Sequence, residues 1–261
     1  MRSAVTERLD DVDGVTVRSL AAGDGSASTH VVLVPGLGAL GYLVPTMRAL
    51  AARGARCTLL DLPGFGTSRA RPGAPTVASV GEWAAAWIRT VAPSGRLVIA
   101  GHSTGAQGAL LAALRVQEER PLAAVVLAGP TVAPSQRSLA RLAAAGPAAY
   151  RRDSVRELVV LPDLVRAGPD LVTMLRSAVA DRPEVSVAAL RGLLLVTAGR
   201  FDTFAPASWL ATLAGSATSA TRVHAVKLPG SHNNPYTHPD PLAALIVAAG
   251  QHDHVPAGSS M

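Results

Sequence analysis

Gly101-His102-Ser103-Thr104-Gly105 follows the apolar run Leu97-Val98-Ile99-Ala100 and leads into the Ala/Leu-rich stretch 106–114. A serine with glycine two residues away on each side, set between a buried strand and a helix, forms a nucleophile elbow. The turn is tight enough to strain the serine backbone and leaves no room for bulk at the flanking positions. The strain lifts the hydroxyl clear of the sheet, within reach of a base and of an electrophile. The alternative is an ordinary Gly-rich turn, so the assignment rests on partners elsewhere in the chain.

A serine hydroxyl is a weak nucleophile at neutral pH and needs a hydrogen-bonded base, itself oriented by a carboxylate. In an open α/β sheet such groups gather just beyond the carboxyl ends of the strands. Asp202 follows the apolar run 193–197 and a Gly turn, and His232 follows Val226-Lys227-Leu228-Pro229-Gly230-Ser231. His238 remains an alternative base. Asp181 and Glu184 are the rival acids, although they sit in a helical stretch rather than at a strand end. His30 and His224 lie in or beside strands and read as structural. His102 is expected to point away from Ser103, because adjacent side chains diverge in such a turn.

The elements that would position these groups recur at regular intervals. Apolar runs at 30–34, 57–60, 97–100, 124–128, 193–197 and 222–226 are each closed by Gly, Pro or polar residues and read as strands buried on both faces. Between them lie helical stretches near 46–53, 79–92, 104–118, 206–214 and 240–249. This alternation predicts an α/β fold with a mostly parallel open sheet and helices on both faces. Asp11-Val12-Asp13-Gly14 before Val15-Thr16-Val17-Arg18 predicts a hairpin at the sheet edge. The rhythm breaks between 128 and 193. Residues 135–189 are helical in pattern, with Leu139, Leu142 and Ala143, then Val155, Leu158 and Val159, at helical spacing and prolines between them. The organisation expected is a core over 1–134 and 190–250, a helical lid over 135–189, and a loose tail over 251–261.

Taken together these motifs resemble the α/β-hydrolase superfamily, in particular serine esterase-like members with a helical lid. Ser103, Asp202 and His232 keep that family's chain order of nucleophile, acid and histidine. Gly199-Arg200-Phe201-Asp202 is similar to its G-x-x-D turn, Leu228-Pro229-Gly230-Ser231-His232 to its histidine loop, and the segment 61–68 to its D-x-P-G-x-G-x-S loop. Relatives that carry the acid after the strand preceding the lid have no counterpart here, since 129–134 offers no carboxylate. The resemblance further implies an oxyanion hole made by the backbone N–H groups of Thr104 and of Leu37, in Pro35-Gly36-Leu37-Gly38. Many relatives have His-Gly where this chain has Pro35-Gly36. Proline lacks an N–H, but the implied donor falls two positions later. Losing one such donor typically costs about 2.7–4 kcal/mol of transition-state stabilisation.

The implied activity is hydrolysis of a carboxylic ester or related acyl bond of a small molecule through an acyl-enzyme, without metal or organic cofactor. Cofactor-free perhydrolysis or halogenation and C–C bond hydrolysis are the nearest alternatives, and a slow-turnover small-molecule sensor is one of another class. Of the nine aromatic residues, Tyr42, Phe65, Phe201, Phe204 and Tyr236 lie in or beside the motif loops. Some are expected to line an apolar pocket, the alternative being that they staple the loops to the core.

Composition excludes other classes. The formal charge of +6 comes from dispersed arginines with a single lysine, Lys227, and no dense basic block, which argues against nucleic acid as a partner. No apolar stretch approaches the ~20 residues of a membrane span. Cys57 alone allows neither an intrachain disulfide nor a multi-cysteine metal site. The N-terminal residues lack an apolar signal-peptide core. A cytoplasmic location is expected, and the sequence does not specify an oligomeric state.

Overall fold

All six apolar runs form strands in the computed structural model, which describes residues 4–61, 73–151, 156 and 169–251. The hairpin at the N-terminal edge joins β1 (Thr6–Val12) to β2 (Val15–Ala22). Its turn is Asp13-Gly14, both residues at positive φ (51° and 75°), as a two-residue hairpin turn of the favoured hand requires. Then come β3 (Thr29–Val34), β4 (Arg56–Asp61), β5 (Arg96–His102), β6 (Ala124–Ala128), β7 (Gly192–Gly199) and β8 (Ala220–Leu228). They form one eight-stranded sheet in the order β1-β2-β4-β3-β5-β6-β7-β8. Pairing is antiparallel at β1–β2 and β2–β4 and parallel from β4 through to β8.

Side chains alternate across this sheet. Val32, Ile99, Val125 and Leu194 face one core, against α2 (Val77–Val91) and α3 (Thr104–Val116). Val31, Val98, Val126 and Leu195 face the other, against α1 (Val44–Ala52). Continuous apolar strands are the consequence of covering both faces with helices.

Between β6 and β7 lie α4 (Leu139–Arg151), α5 (Pro169–Ala180) and the single turn α6 (Pro183–Ser186). Leu142, Gly146 and Tyr150 fall four residues apart on one face of α4, as the helical spacing predicts. Val155, Leu158 and Val159 lie outside the described residues, as do Phe65, residues 62–68 of the 61–68 motif and 252–261 of the tail. Among the described residues there follow α7 (Ala207–Ser216), the single turn α8 (Asn234–Thr237) and α9 (Pro239–Gln251), the last packed on the same face as α1. Among the described residues no helix is long and apolar enough to cross a membrane.

β3 and β5 are neighbours at the centre, and the chain leaves them toward opposite flanks of the sheet. This is the switch point at which an open α/β sheet forms a crevice beyond its strand ends. Ser103 follows β5 there, and the loop holding Leu37 follows β3.

Near the opposite end of the sheet His30 is buried on β3, its Nε2 2.9 Å from Thr58 Oγ1 on β4. Burial, reinforced by Arg56, Arg120 and Arg8, lowers its pKa from 6.5 to about 4. The folded protein therefore keeps His30 neutral where the unfolded chain begins to bind a proton. The stability this represents is fully present above pH 6.5 and is lost as pH falls through about 4. Thermal melts from neutral to acid pH should show a shallower acid-side fall for His30→Gln than for the wild type. Parallel curves would contradict the assignment.

Candidate active site

The elbow is strained as its sequence predicts. Ser103 has φ 59° and ψ −129°, a region that only a surrounding structure can impose on a residue with a side chain. Both flanking glycines are required by close backbone approach. A Cβ on Gly101 would collide with the backbone of Gly105 and Ala106, and one on Gly105 with the carbonyls of Val34 and Pro35. Gly36 is equally constrained, since its Cβ would sit 2.7 Å from Ser103 Cβ.

Three of the sequence candidates meet at this point. His232 Nε2 lies 3.0 Å from Ser103 Oγ, and His232 Nδ1 lies 2.9 Å from Asp202 Oδ2. Asp202 Oδ1 accepts from the backbone N–H groups of Phe204 (2.9 Å) and Ala205 (3.2 Å). All three residues are buried, Ser103 least so. Burial alone would raise the Asp202 carboxyl. The attraction and hydrogen bond of the His232 ring, with the Lys227 ammonium behind it, outweigh that cost and hold it below the ordinary carboxylate value. An ionised Asp202 accepts the hydrogen bond of the Nδ1–H of His232, which leaves the Nε2 lone pair facing the Ser103 hydroxyl.

The remaining candidates divide. Thr104 opens α3, whose first N–H groups are free of helical partners. Leu37 stands at φ 51° and its N–H donates to Thr104 Oγ1 at 3.1 Å, which draws the loop after β3 to the elbow. Phe204 lines an apolar cavity of about 390 Å³ that begins at Ser103 and is walled by α4 and α5 through residues such as Leu142, Tyr150 and Leu175. Of the aromatic residues from which some were expected to line a pocket, Tyr42, Phe201 and Tyr236 do not line this one. Tyr42 is buried beneath the site with its hydroxyl bonded to Gly36 and His102. Phe201 is 41% exposed on the turn before Asp202, and Tyr236 lies under the guanidinium of Arg156. Proximity in sequence to a motif loop does not fix which side of the loop a ring occupies.

The rivals are engaged elsewhere. Asp181 accepts from Gln107, Glu184 is paired with Arg137, and the His238 ring contacts Thr237 Oγ1.

Sequence reasoning did not anticipate the second layer. Lys227 Nζ donates to the carbonyls of Gly199 (2.8 Å) and Ala205 (2.9 Å), bracketing the turn that carries Asp202. The Ala149 carbonyl, in the last turn of α4, accepts the His232 N–H at 2.9 Å. Tyr150 and Phe204 meet the His232 ring edge-on. Gly129 stands at φ 53°, where a Cβ would press on Asp202, His102 and His232. The only signals were an isolated lysine just after the apolar run 222–226 and a Gly-Pro pair just after β6.

These contacts imply a sharp contrast between two glycines. Gly105→Ala should destabilise the fold by about 1–3 kcal/mol or more, because the obstructing atoms are backbone. Gly215→Ala in α7 meets nothing within 4 Å and should stabilise by up to about 1 kcal/mol. Urea unfolding of the two variants reads both, and equal effects would contradict the packing described.

A family model described as "alpha/beta hydrolase fold" matches residues 29–215. Among curated protein sequences none matches the chain. Among solved structures, a serine hydrolase involved in carbazole degradation, the CarC enzyme, superposes with a TM-score of 0.72 at 19% identity, covering 95% of this chain and 100% of that one. A thermophilic esterase from Thermogutta terrifontis gives 0.67 at 16% identity over 95% and 98%. A thioesterase domain from the curacin biosynthetic pathway gives 0.63 at 20% identity over 94% and 99%. At such identities the likeness is one of fold alone.

Proposed function

The chain belongs to the α/β-hydrolase family, and from that premise we propose that it is a serine hydrolase cleaving a carboxylic ester or related acyl bond of a small molecule. The observation that carries this reading is the buried line from Ser103 Oγ through His232 to Asp202, with hydrogen bonds of 3.0 and 2.9 Å. Ser103 attacks the acyl carbon while His232 Nε2 takes its proton. Asp202, ionised, holds the Nδ1–H tautomer and stabilises the imidazolium. The oxyanion is received by the N–H groups of Leu37 and Thr104. The Leu37 N–H already points at Thr104 Oγ1, so the oxyanion shares or takes over that bond. His232 then gives its proton to the leaving group, and water attacks the acyl-enzyme with His232 again as base.

The cavity supports an apolar acyl group. Its described lining carries no charged side chain, and burying an unpaired charge there is costly. Its size is within the usual range for small-molecule sites, about 300–1,000 Å³. The helices α4 and α5 serve in this reading as the lid that encloses the acyl chain.

On p-nitrophenyl esters, Ser103→Ala should lower hydrolysis at least about a thousandfold while the protein stays folded. For the wild type, kcat/KM should rise about fourfold per methylene, from ~0.8 kcal/mol each, until the cavity is full. It should fall when the acyl chain ends in a carboxylate. Activity that survives Ser103→Ala would sink the mechanism, and indifference to acyl charge would sink the pocket assignment.

A further inference from the structure

We propose that His102 and Tyr42 are positioning residues, which lock the loop carrying His232 to the loop carrying Leu37 through one directed chain of hydrogen bonds. The inference rests on the roles of Ser103 and His232 proposed above.

The chain can be read from donor and acceptor chemistry. His102 Nε2 lies 2.9 Å from the His232 carbonyl oxygen. A carbonyl only accepts, so Nε2 carries the proton. Nδ1 of the neutral ring is then a lone-pair acceptor, and the Tyr42 hydroxyl, 2.9 Å away, donates to it. The Tyr42 oxygen in turn accepts the Gly36 N–H at 2.9 Å. All three bonds run in one sense, from Gly36 through Tyr42 and His102 to His232. Burial, followed by the proximity of the His232 ring, pushes His102 down to about 3. The ring therefore stays neutral across the working pH range, as the directed chain requires.

Each end of the chain abuts the chemistry. Gly36 passes against Ser103 and precedes Leu37, the implied oxyanion donor. At the other end, the His232 carbonyl is fixed by His102 and its N–H by Ala149 of α4. The backbone of the base is thus held on both sides while its ring nitrogens face Ser103 and Asp202. Simple core filling does not account for this arrangement. An imidazole and a phenol at 3% and 2% exposure would be replaced more cheaply by hydrocarbon unless their polar atoms were needed. The second residue of the elbow thereby acquires a task of its own: it points away from the nucleophile to hold the nucleophile's base.

The test compares His102→Leu, which removes both bonds, with His102→Gln, whose amide N–H reaches the Nε2 position, and with Tyr42→Phe. At a temperature at which circular dichroism shows every variant folded, His102→Leu should lower kcat about 10–100-fold with KM within about threefold. His102→Gln should recover much of that loss. Tyr42→Phe should lower kcat in the wild type but add little in the His102→Leu background. In ¹⁵N-histidine NMR spectra the His102 ring should be the Nε2–H tautomer, unchanged from mildly acid to alkaline pH. Wild-type kcat in folded His102→Leu, a His102→Gln variant no better than His102→Leu, or an Nδ1–H tautomer would each overturn the proposal. A flat His102 series whose activity still vanishes in Ser103→Ala would fail this inference alone. Activity independent of Ser103 would fail the hydrolase reading instead, and the tautomer would still test the lock.

Discussion

Where β5 turns into α3, three backbone segments approach more closely than side chains allow. The strand end, the first turn of the helix and the loop after β3 meet around Ser103, with Gly101, Gly105 and Gly36 supplying the missing Cβ atoms. Ser103 is held at a positive φ that it would not adopt alone. The strain is sustained by everything packed behind it: β5 is paired on both sides, and α3 is buried against α2 and the sheet. Because the loop after β3 is part of the same contact, Ser103 and the proposed oxyanion donors share one rigid frame. A site built on strand ends and a helix start holds its geometry more tightly than one carried by free loops.

The second requirement is electrostatic. A buried carboxylate is tolerable only with compensation, and Asp202 has it from His232, two backbone N–H groups and the nearby Lys227 ammonium. Lys227 also braces the turn through two carbonyls. The same network favours an ionised Asp202, which is what the proposed acyl transfer asks of a buried acid. Phe204, Tyr150 and His102 surround the His232 imidazole, so this ring is confined in orientation as well as in position.

Much of this was legible before the structure. The strands announced themselves because a sheet covered on both faces needs unbroken apolar runs, and Asp13-Gly14 marked its hairpin because few pairs accept two positive φ values. Ser103, Asp202 and His232 could be picked out because each follows a strand, where an open sheet gathers its side chains. Phe204, two residues beyond Asp202, does reach the cavity. Which of the other aromatic candidates would line it was not legible, because a loop residue's neighbours in sequence do not determine its direction. Tyr42 turns inward to a hydrogen-bond partner 60 residues away, and Phe201 turns to solvent. The roles of Lys227 and the Ala149 carbonyl were invisible for a related reason. Both depend on tertiary contacts with backbone atoms, which leave no pattern of residue types.

The proposed reaction passes through a covalent acyl-enzyme at Ser103. The most direct measurement is to mix the protein with a p-nitrophenyl ester, quench it in acid within the first turnovers, and map the peptides by mass spectrometry. The account predicts one acyl group on the peptide containing Ser103, formed with the burst of p-nitrophenol and absent in His232→Ala. Rapid ester cleavage with no acylated peptide, or with the acyl group on another residue, would contradict it.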